Sequence, residues 1–408
     1  MTDQVLIEKI NINKFSSKYK DLYKKLDHLC FLSKNLYNST LYETRKHYFK
    51  TGEFLNYNAI NKIFTHSNQK DYRKLPAKVS KQTQMMIERS YKSYFELLKT
   101  GSIKNPKPPK YLDSKFGRQI VHYEKGALSF KKQGYIKLSK TDILIPTRLT
   151  KDVVNFVRIV NKNNSINIEI GYKRSVENFI ENNNFASIDI GLNNFATITS
   201  NSSKPLIING KPLKSMNQYY NKQKSKLKSE LYKNHKRTSS IKLDKLSLKR
   251  ENKINDYLHK TTNCIMNYLV SGNIKTLIVG YNKGWKQNIS IGKVNNQNFV
   301  SIPFYKFINQ LEYKTKLLGI KLVLQEESYT SKCSFIDQES VEKQLHYSGK
   351  RIKRGLFISK NNILINSDIN GSLNILKKYL EKKSLYNQQI YNELMELNIN
   401  KPIKKISL

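Results

Sequence analysis

The chain has 408 residues, 38% of them hydrophobic, enough for roughly two to three domains with a sizeable core. Lys and Arg total 73 against 31 acids, a formal charge of +42, and a surface that positive repels itself unless a polyanion screens it. No apolar run approaches the roughly 18–20 residues of a membrane span and no signal-peptide pattern follows Met1, so the expected polyanion is nucleic acid, not a membrane. Cys30, Cys264 and Cys333 are scattered, and none forms a CxxC pair. That argues against a disulfide framework and a four-cysteine zinc site, and for a reducing cytoplasm. His259 and His346 do not complete a ligand set, so zinc is expected to be absent.

Residues 4–13 (QVLIEKININ) combine apolar alternation with β-branched residues and read as a strand. From 17 to about 49, Leu22, Leu26, Leu29, Leu32 and Leu36 recur at helical spacing. A second helix is expected over 76–98, with Pro76 in its first turn and Met85, Met86, Tyr91 and Phe95 on one side. A basic, proline-bearing link follows at 104–110 (KNPKPPK). Short strand-like segments then recur over 119–172, which suggests a small barrel or curled sheet that the first strand joins, with the helices as an insertion.

The second half changes rhythm. Residues 185–190 form an apolar strand carrying Asp189, GLNN (191–194) is turn chemistry, and strands follow at 195–199 and 205–209. A strongly basic stretch over 214–271 reads as two long helices broken near 238–240, and the part around 222–260 suits phosphate contact. A buried-type strand at 276–280, a helix at 303–318, a strand at 321–325 and a last helix from about 369 complete an α/β order like that of RNase H. Some of the 26 tyrosines suit base stacking, and packing is the expected role of Trp285.

A phosphodiesterase of that order needs acids on rigid elements that hold two divalent ions roughly 3.5–4 Å apart. Asp189 lies inside an apolar strand, where a lone charge is costly, so it is either a ligand or a paired structural acid. Asp368, just before the last helix, is either a ligand or that helix's N-cap. The strand at 276–280 ends in Gly280 with no acid, whereas the next strand ends in Glu326 and Glu327. Neighbouring strand tips lie side by side, so this glutamate pair is either a solvated strand end or a source of one ligand pointing into the Asp189 pocket. Alternation sends the other outward, exposed or paired with a basic side chain, and Glu327, nearer the tip, is the preferred ligand.

SIDIGLNNFAT and INSDINGSLNILKK resemble the first and third RuvC motifs of TnpB, the OrfB-type protein of small insertion sequences, and of its relatives the type V CRISPR effectors. LIVGYNKGWKQN occupies the second-motif region, and EESYTSKCSF is similar to the segment before the family's zinc ribbon. The resemblance implies an α+β multidomain chain. A wedge-like β-barrel (1–16 and 111–180) would carry a helical recognition insertion (17–110). A RuvC-like domain (181–380) would contain inserted helices (214–271) and a loop (328–365) in place of the ribbon, followed by a C-terminal tail (381–408). It implies catalytic Asp189 and Asp368, a second-motif glutamate moved from Gly280 to Glu326 or Glu327, two Mg2+ (or Mn2+) ions, a guide RNA and a double-stranded DNA target. The implied activity is RNA-guided DNA cleavage; the alternatives are a nuclease-inactive RNA-guided repressor and a transposase acting without a guide.

Overall fold

The structure, a computed structural model, describes residues 3–162, 164–282, 284, 292–397 and 399–405. Trp285 lies outside the described residues. Two compact units emerge, Asp3–Arg174 and the chain from Ser175 onward.

The first unit opens with β1 (Asp3–Asn13) and α1 (Lys20–Thr51), which ends where Gly52 takes the left-handed conformation at φ 75°. Two short helices absent from the sequence reading follow, α2 (Tyr57–His66), capped by the Asn56 side chain, and α3 (Lys70–Arg73), before α4 (Ala77–Thr100). Their buried apolar positions are few, Ile60 and Phe64 in α2 and Tyr72 in α3, while Ile63 of α2 is exposed. Strands β2 (Val121–Glu124), β3 (Leu128–Ser129), β4 (Tyr135–Leu138), β5 (Leu144–Pro146), β6 (Val154–Lys162) and β7 (Ser165–Ser175) complete the unit. They divide into two sheets, β1-β7-β6-β2 and β3-β4-β5; closure into one barrel is not among the described pairings. Leu26, Leu29, Cys30 and Leu36 of α1 and Val79 of α4 share a core with Tyr123, Val157, Ile159, Ile168 and Ile170.

The second unit is built on β8 (Phe185–Ile190), β9 (Asn194–Ser200) and β10 (Leu206–Asn209), joined antiparallel. The basic helices are α5 (Lys211–His235) and α6 (Ile241–Ser271), the latter capped by Ser240, whose hydroxyl accepts from Leu243 N. Then come β11 (Thr276–Gly280), α7 (Lys293–Ser301), α8 (Phe304–Leu317) and β12 (Lys321–Gln325). Residues 328–366 hold a small sheet of β13 (Lys350–Lys353), β14 (Leu356–Ile358) and β15 (Leu364–Asn366). Helices α9 (Ser367–Lys382) and α10 (Gln388–Glu396) and strand β16 (Ile403–Lys405) follow.

The main sheet runs β12-β11-β8-β9-β10-β16, with β12, β11 and β8 mutually parallel. Alternation along β11 sends Leu277 and Val279 into a core with α6 and α8, and Ile278 into a core with α9 and α10. The segment read as a tail is thus folded in: Ile390, Leu394 and Ile399 are buried, and β16 pairs with β10. Helix α9 is the wall that closes the functional face, so Leu373→Ala, which empties a fully buried position on it, is expected to cost about 2–5 kcal/mol. A lowered urea midpoint of the full chain checks this.

Candidate active site

The carboxylates gather at the carboxyl ends of the parallel strands. Asp189 is the fifth residue of β8, one beyond the last described pairing of that strand with β11, Ile188 opposite Val279. Gly280 follows Val279 on β11 and pairs with Gln325 of β12, two residues before Glu327. The sequence reading set the tips of β11 and β12 side by side, as the sheet has them, and β11 separates β12 from β8. Glu327 therefore reaches the site across β11. Gly280 makes that possible, because a Cβ there would lie 2.7 Å from Glu327 Oε2 and 2.5 Å from Ile375 Cδ1. The requirement is space, not backbone freedom. Asn282 holds Glu327 by side chain and backbone, its Nδ2 donating to Glu327 Oε1 (3.3 Å) and its Oδ1 accepting from Glu327 N (3.2 Å).

Glu326 takes the other direction. It is exposed, pairs with Lys378 of α9 and accepts from the Ser328 amide (2.8 Å) and hydroxyl, interactions that hold its carboxyl below the usual glutamate range against a desolvation that acts upward.

Asp368 stands in the first turn of α9 but is not its cap. Asn366 is, its Oδ1 accepting from Asp368 N and Ile369 N at 2.9 and 3.3 Å. The Asp368 side chain is left to accept from Asn194 Nδ2 (2.7 Å) and to pair with Arg351 of β13 (3.6 Å). Asn194, Asn282 and Arg351 went unassigned in the sequence reading. The first two sat inside motif segments already noted, and Arg351 in the basic loop read in place of the ribbon, as either a nucleic-acid contact or a cap on the site, with no residue of it assigned.

Helix α9 is held to β8 and β9 by a buried hydroxyl cluster. Ser187 Oγ donates to the Ser372 carbonyl (2.7 Å), and Thr199 and Ser372 hydroxyls meet at 2.9 Å. This close approach leaves no room at Gly371, where a Cβ would lie 2.9 Å from Asp189 Oδ2.

Asp189 titrates well above the ordinary aspartate range, first because burial desolvates it, then because Asp368 and Glu327 repel its charge; Arg351 opposes both. Burial and the neighbouring Glu326 push Glu327 up to about 7. Among the described residues, no three acidic, His or Cys side chains close on a common point. The donor chemistry nonetheless suits a hard divalent cation: Asp189, Glu327 and Asp368 offer only carboxylate oxygens. Orphaned hydroxyls flank them. Thr197, opposite Asp189 on β9, and Ser367, beside Asp368, each bury an oxygen that has no partner. No zinc-type cluster is found among the described residues, and Cys30 and Cys333 are buried.

Residues 165–286 match the family model OrfB_IS605, described as "Probable transposase", and residues 304–375 match the Cas12f1-like TNB domain. The chain is TnpB-like. Its fold resembles that of Cas12f1 in a cryo-EM structure of the Cas12f1–sgRNA–target DNA complex, with a TM-score of 0.56, 13% identity, and coverage of 91% of this chain and 98% of that one. The mini-RNA-guided endonuclease CRISPR-Cas_phi3 aligns at a TM-score of 0.46 and 10% identity, covering 92% of each chain. No curated protein matches. The TnpB-like chain is thus a mixed α/β protein of Cas12f-like fold, and no helix among its described residues is long and apolar enough to cross a membrane.

The raised carboxyl of Glu327 fixes a pH dependence. Its folded pKa, about 7, exceeds the ordinary 4.5, so its contribution to stability is full below pH 4.5 and is lost as pH rises through 7. In chelator, the urea midpoint of the wild type is expected to fall across that window, and Glu327→Gln to flatten the slope. An identical slope in the variant would show that Glu327 is not desolvated.

Proposed function

We propose that this TnpB-like chain is an RNA-guided DNA endonuclease of transposon origin. In this reading it cuts a double-stranded target at a RuvC-like site formed by Asp189, Glu327 and Asp368. The observation that carries it is the Glu327 carboxylate filling the space above Gly280 and facing Asp189. A strand-tip glutamate with a merely solvated role has no reason to bury itself against another carboxylate. Divalent ions held by Asp189, Glu327 and Asp368, two Mg2+ or Mn2+, would activate water and stabilise the leaving oxygen. The chain's own part is to orient these groups. Asn282 aims Glu327, Asn194 and Arg351 hold Asp368, and the Ser187–Thr199–Ser372 cluster seats Asp189 against α9. A guide RNA pairing with the target reads sequence. The +42 charge, with exposed Tyr219 and Tyr232 on α5, suits the phosphate and base contacts that retain both strands. The resemblance to Cas12f1, solved with an sgRNA and target DNA, supports those partners.

Asp189→Asn, Asp368→Asn and Glu327→Gln are each expected to slow Mg2+-dependent cleavage by at least about 100-fold while guided binding persists, and Glu326→Gln to be mild. A Glu326 variant that fails while the Glu327 variant cuts normally would reverse the assignment. A wild type that binds guided targets without cutting them would make the chain a repressor.

The purified protein is also expected to carry a structured RNA and to lose target affinity steeply with salt, since each phosphate contact releases counterions. An RNA-free preparation with full target binding would exclude a guide.

A further inference from the structure

The segment after Glu327 is tied together by side-chain hydrogen bonds to its own backbone. Its first turn is tied to the site, as Thr330 donates through its hydroxyl to the Glu327 carbonyl at 2.7 Å. Helix α9 then grips the segment with a polar stripe one turn apart, Asn370, Asn374 and Lys377, all buried. Asn374 Nδ2 donates to the carbonyls of Thr330 (2.9 Å) and Cys333 (2.7 Å). Asn370 donates to the Cys333 carbonyl (2.8 Å) and accepts from Phe335 N (3.0 Å). Lys377, its side chain only 3% exposed, gives its ammonium to the carbonyls of Gln338 (2.8 Å) and Glu339 (2.9 Å) and faces Glu381 at 3.6 Å. The Glu339 carboxylate closes the other half, one oxygen accepting from Ser334 N (2.7 Å) and the other from Ser348 N (2.8 Å). Two residues past Ser348 the chain enters the β13–β14 hairpin that carries Arg351.

A buried ammonium that collects carbonyls and a carboxylate that collects amides together bind the two ends of one loop. Burying the Lys377 charge is tolerable only because backbone carbonyls receive it, and the half-buried Glu339 carboxylate is met in the same way by two amides. Resting on the reading of Asp189, Glu327 and Asp368 as the cleavage site, we infer that Glu339 and Lys377 form a metal-free clasp, and that both are positioning residues which set the turn after Glu327 and the hairpin bearing Arg351. A cross-link of this kind does the work of a metal knot while needing no thiolates, which fits a chain with one cysteine in the segment.

The test uses hydrogen exchange of the full chain, read over 330–350, beside single-turnover cleavage at graded Mg2+. Glu339→Gln keeps the shape but turns one acceptor into a donor facing an amide. Exchange at Ser334 and Ser348 should accelerate roughly tenfold, half-saturating Mg2+ should rise roughly tenfold, and the main thermal transition should stay put. Lys377→Met, which keeps the aliphatic stem, should give the same pattern, and Glu342→Gln, an exposed charge loss three residues away, should give neither effect. Unchanged exchange in Glu339→Gln overturns the clasp, as does equal acceleration in Glu342→Gln or acceleration by a zinc chelator in the wild type. Faster exchange with unmoved Mg2+ dependence overturns the positioning role. A wild type that never cleaves removes the nuclease reading and the positioning role with it, whereas exchange still decides the clasp alone.

Discussion

The site depends on one steric permission. A carboxylate rooted at the sheet's outer strand meets Asp189 only by passing over the strand between them, and only a residue without a side chain lets it through. At Gly280 the missing Cβ leaves the volume that Glu327 Oε2 and Ile375 Cδ1 share. Asn282, two residues past the end of β11, then grips the glutamate by carboxylate and backbone at once. One short stretch of chain thus supplies both the gap and the clamp for Glu327. The arrangement is a coupled pair: adding a side chain at Gly280 displaces the glutamate, and removing the glutamate leaves a hole lined by Ile375.

The same economy of space governs the helix behind the acids. Asp189 lies against α9 because Gly371 has no side chain, and α9 stays there because hydroxyls of Ser187, Thr199 and Ser372 satisfy one another in a site where water is excluded. Small hydroxylated residues give close approach and a hydrogen bond together, which apolar packing of the same volume does not. The helix then uses its remaining polar positions on the loop beyond Glu327. One element therefore touches the first acid, bears the last, and anchors the segment following the third.

Much of this was legible in sequence where chemistry and pattern coincide. Asp189 in an apolar strand, Asp368 before a helix, and the break between the two basic helices follow from local rules that the fold obeys. The division of labour between Glu326 and Glu327 follows from strand alternation, but its direction does not, because both residues lie past the last ladder pair at Gln325. Lys378 decides the matter by drawing Glu326 outward. What escaped notice is either short or distant. Helix α2 rests on two buried apolar residues, β16 on three residues pairing with β10, and Arg351 reaches Asp368 from a hairpin whose own strand is wholly exposed. The role of Gly280 was also missed: the sequence marks it as a position without an acid, whereas the sheet, with β11 between β8 and β12, makes it the gap that the Glu327 carboxylate occupies.

A chain with a charge of +42 nevertheless keeps its acids poorly compensated, and the two facts belong to different length scales. Desolvation does most to raise Asp189, and it acts over the few ångströms around the carboxyl, where the Arg351 cation opposes it. The lysines of α5 and α6 act through water, where charge is screened within about 8 Å at physiological ionic strength, so they attract a polyanion without relieving the site. Burial thus biases Asp189 and Glu327 toward their neutral forms, and in so dry a site a charged partner counts strongly. A basic exterior around such a centre brings phosphate toward carboxylates that by themselves would repel it. The conflict is resolved only when positive charge enters between the two, which is what a divalent ion on Asp189, Glu327 and Asp368 would provide.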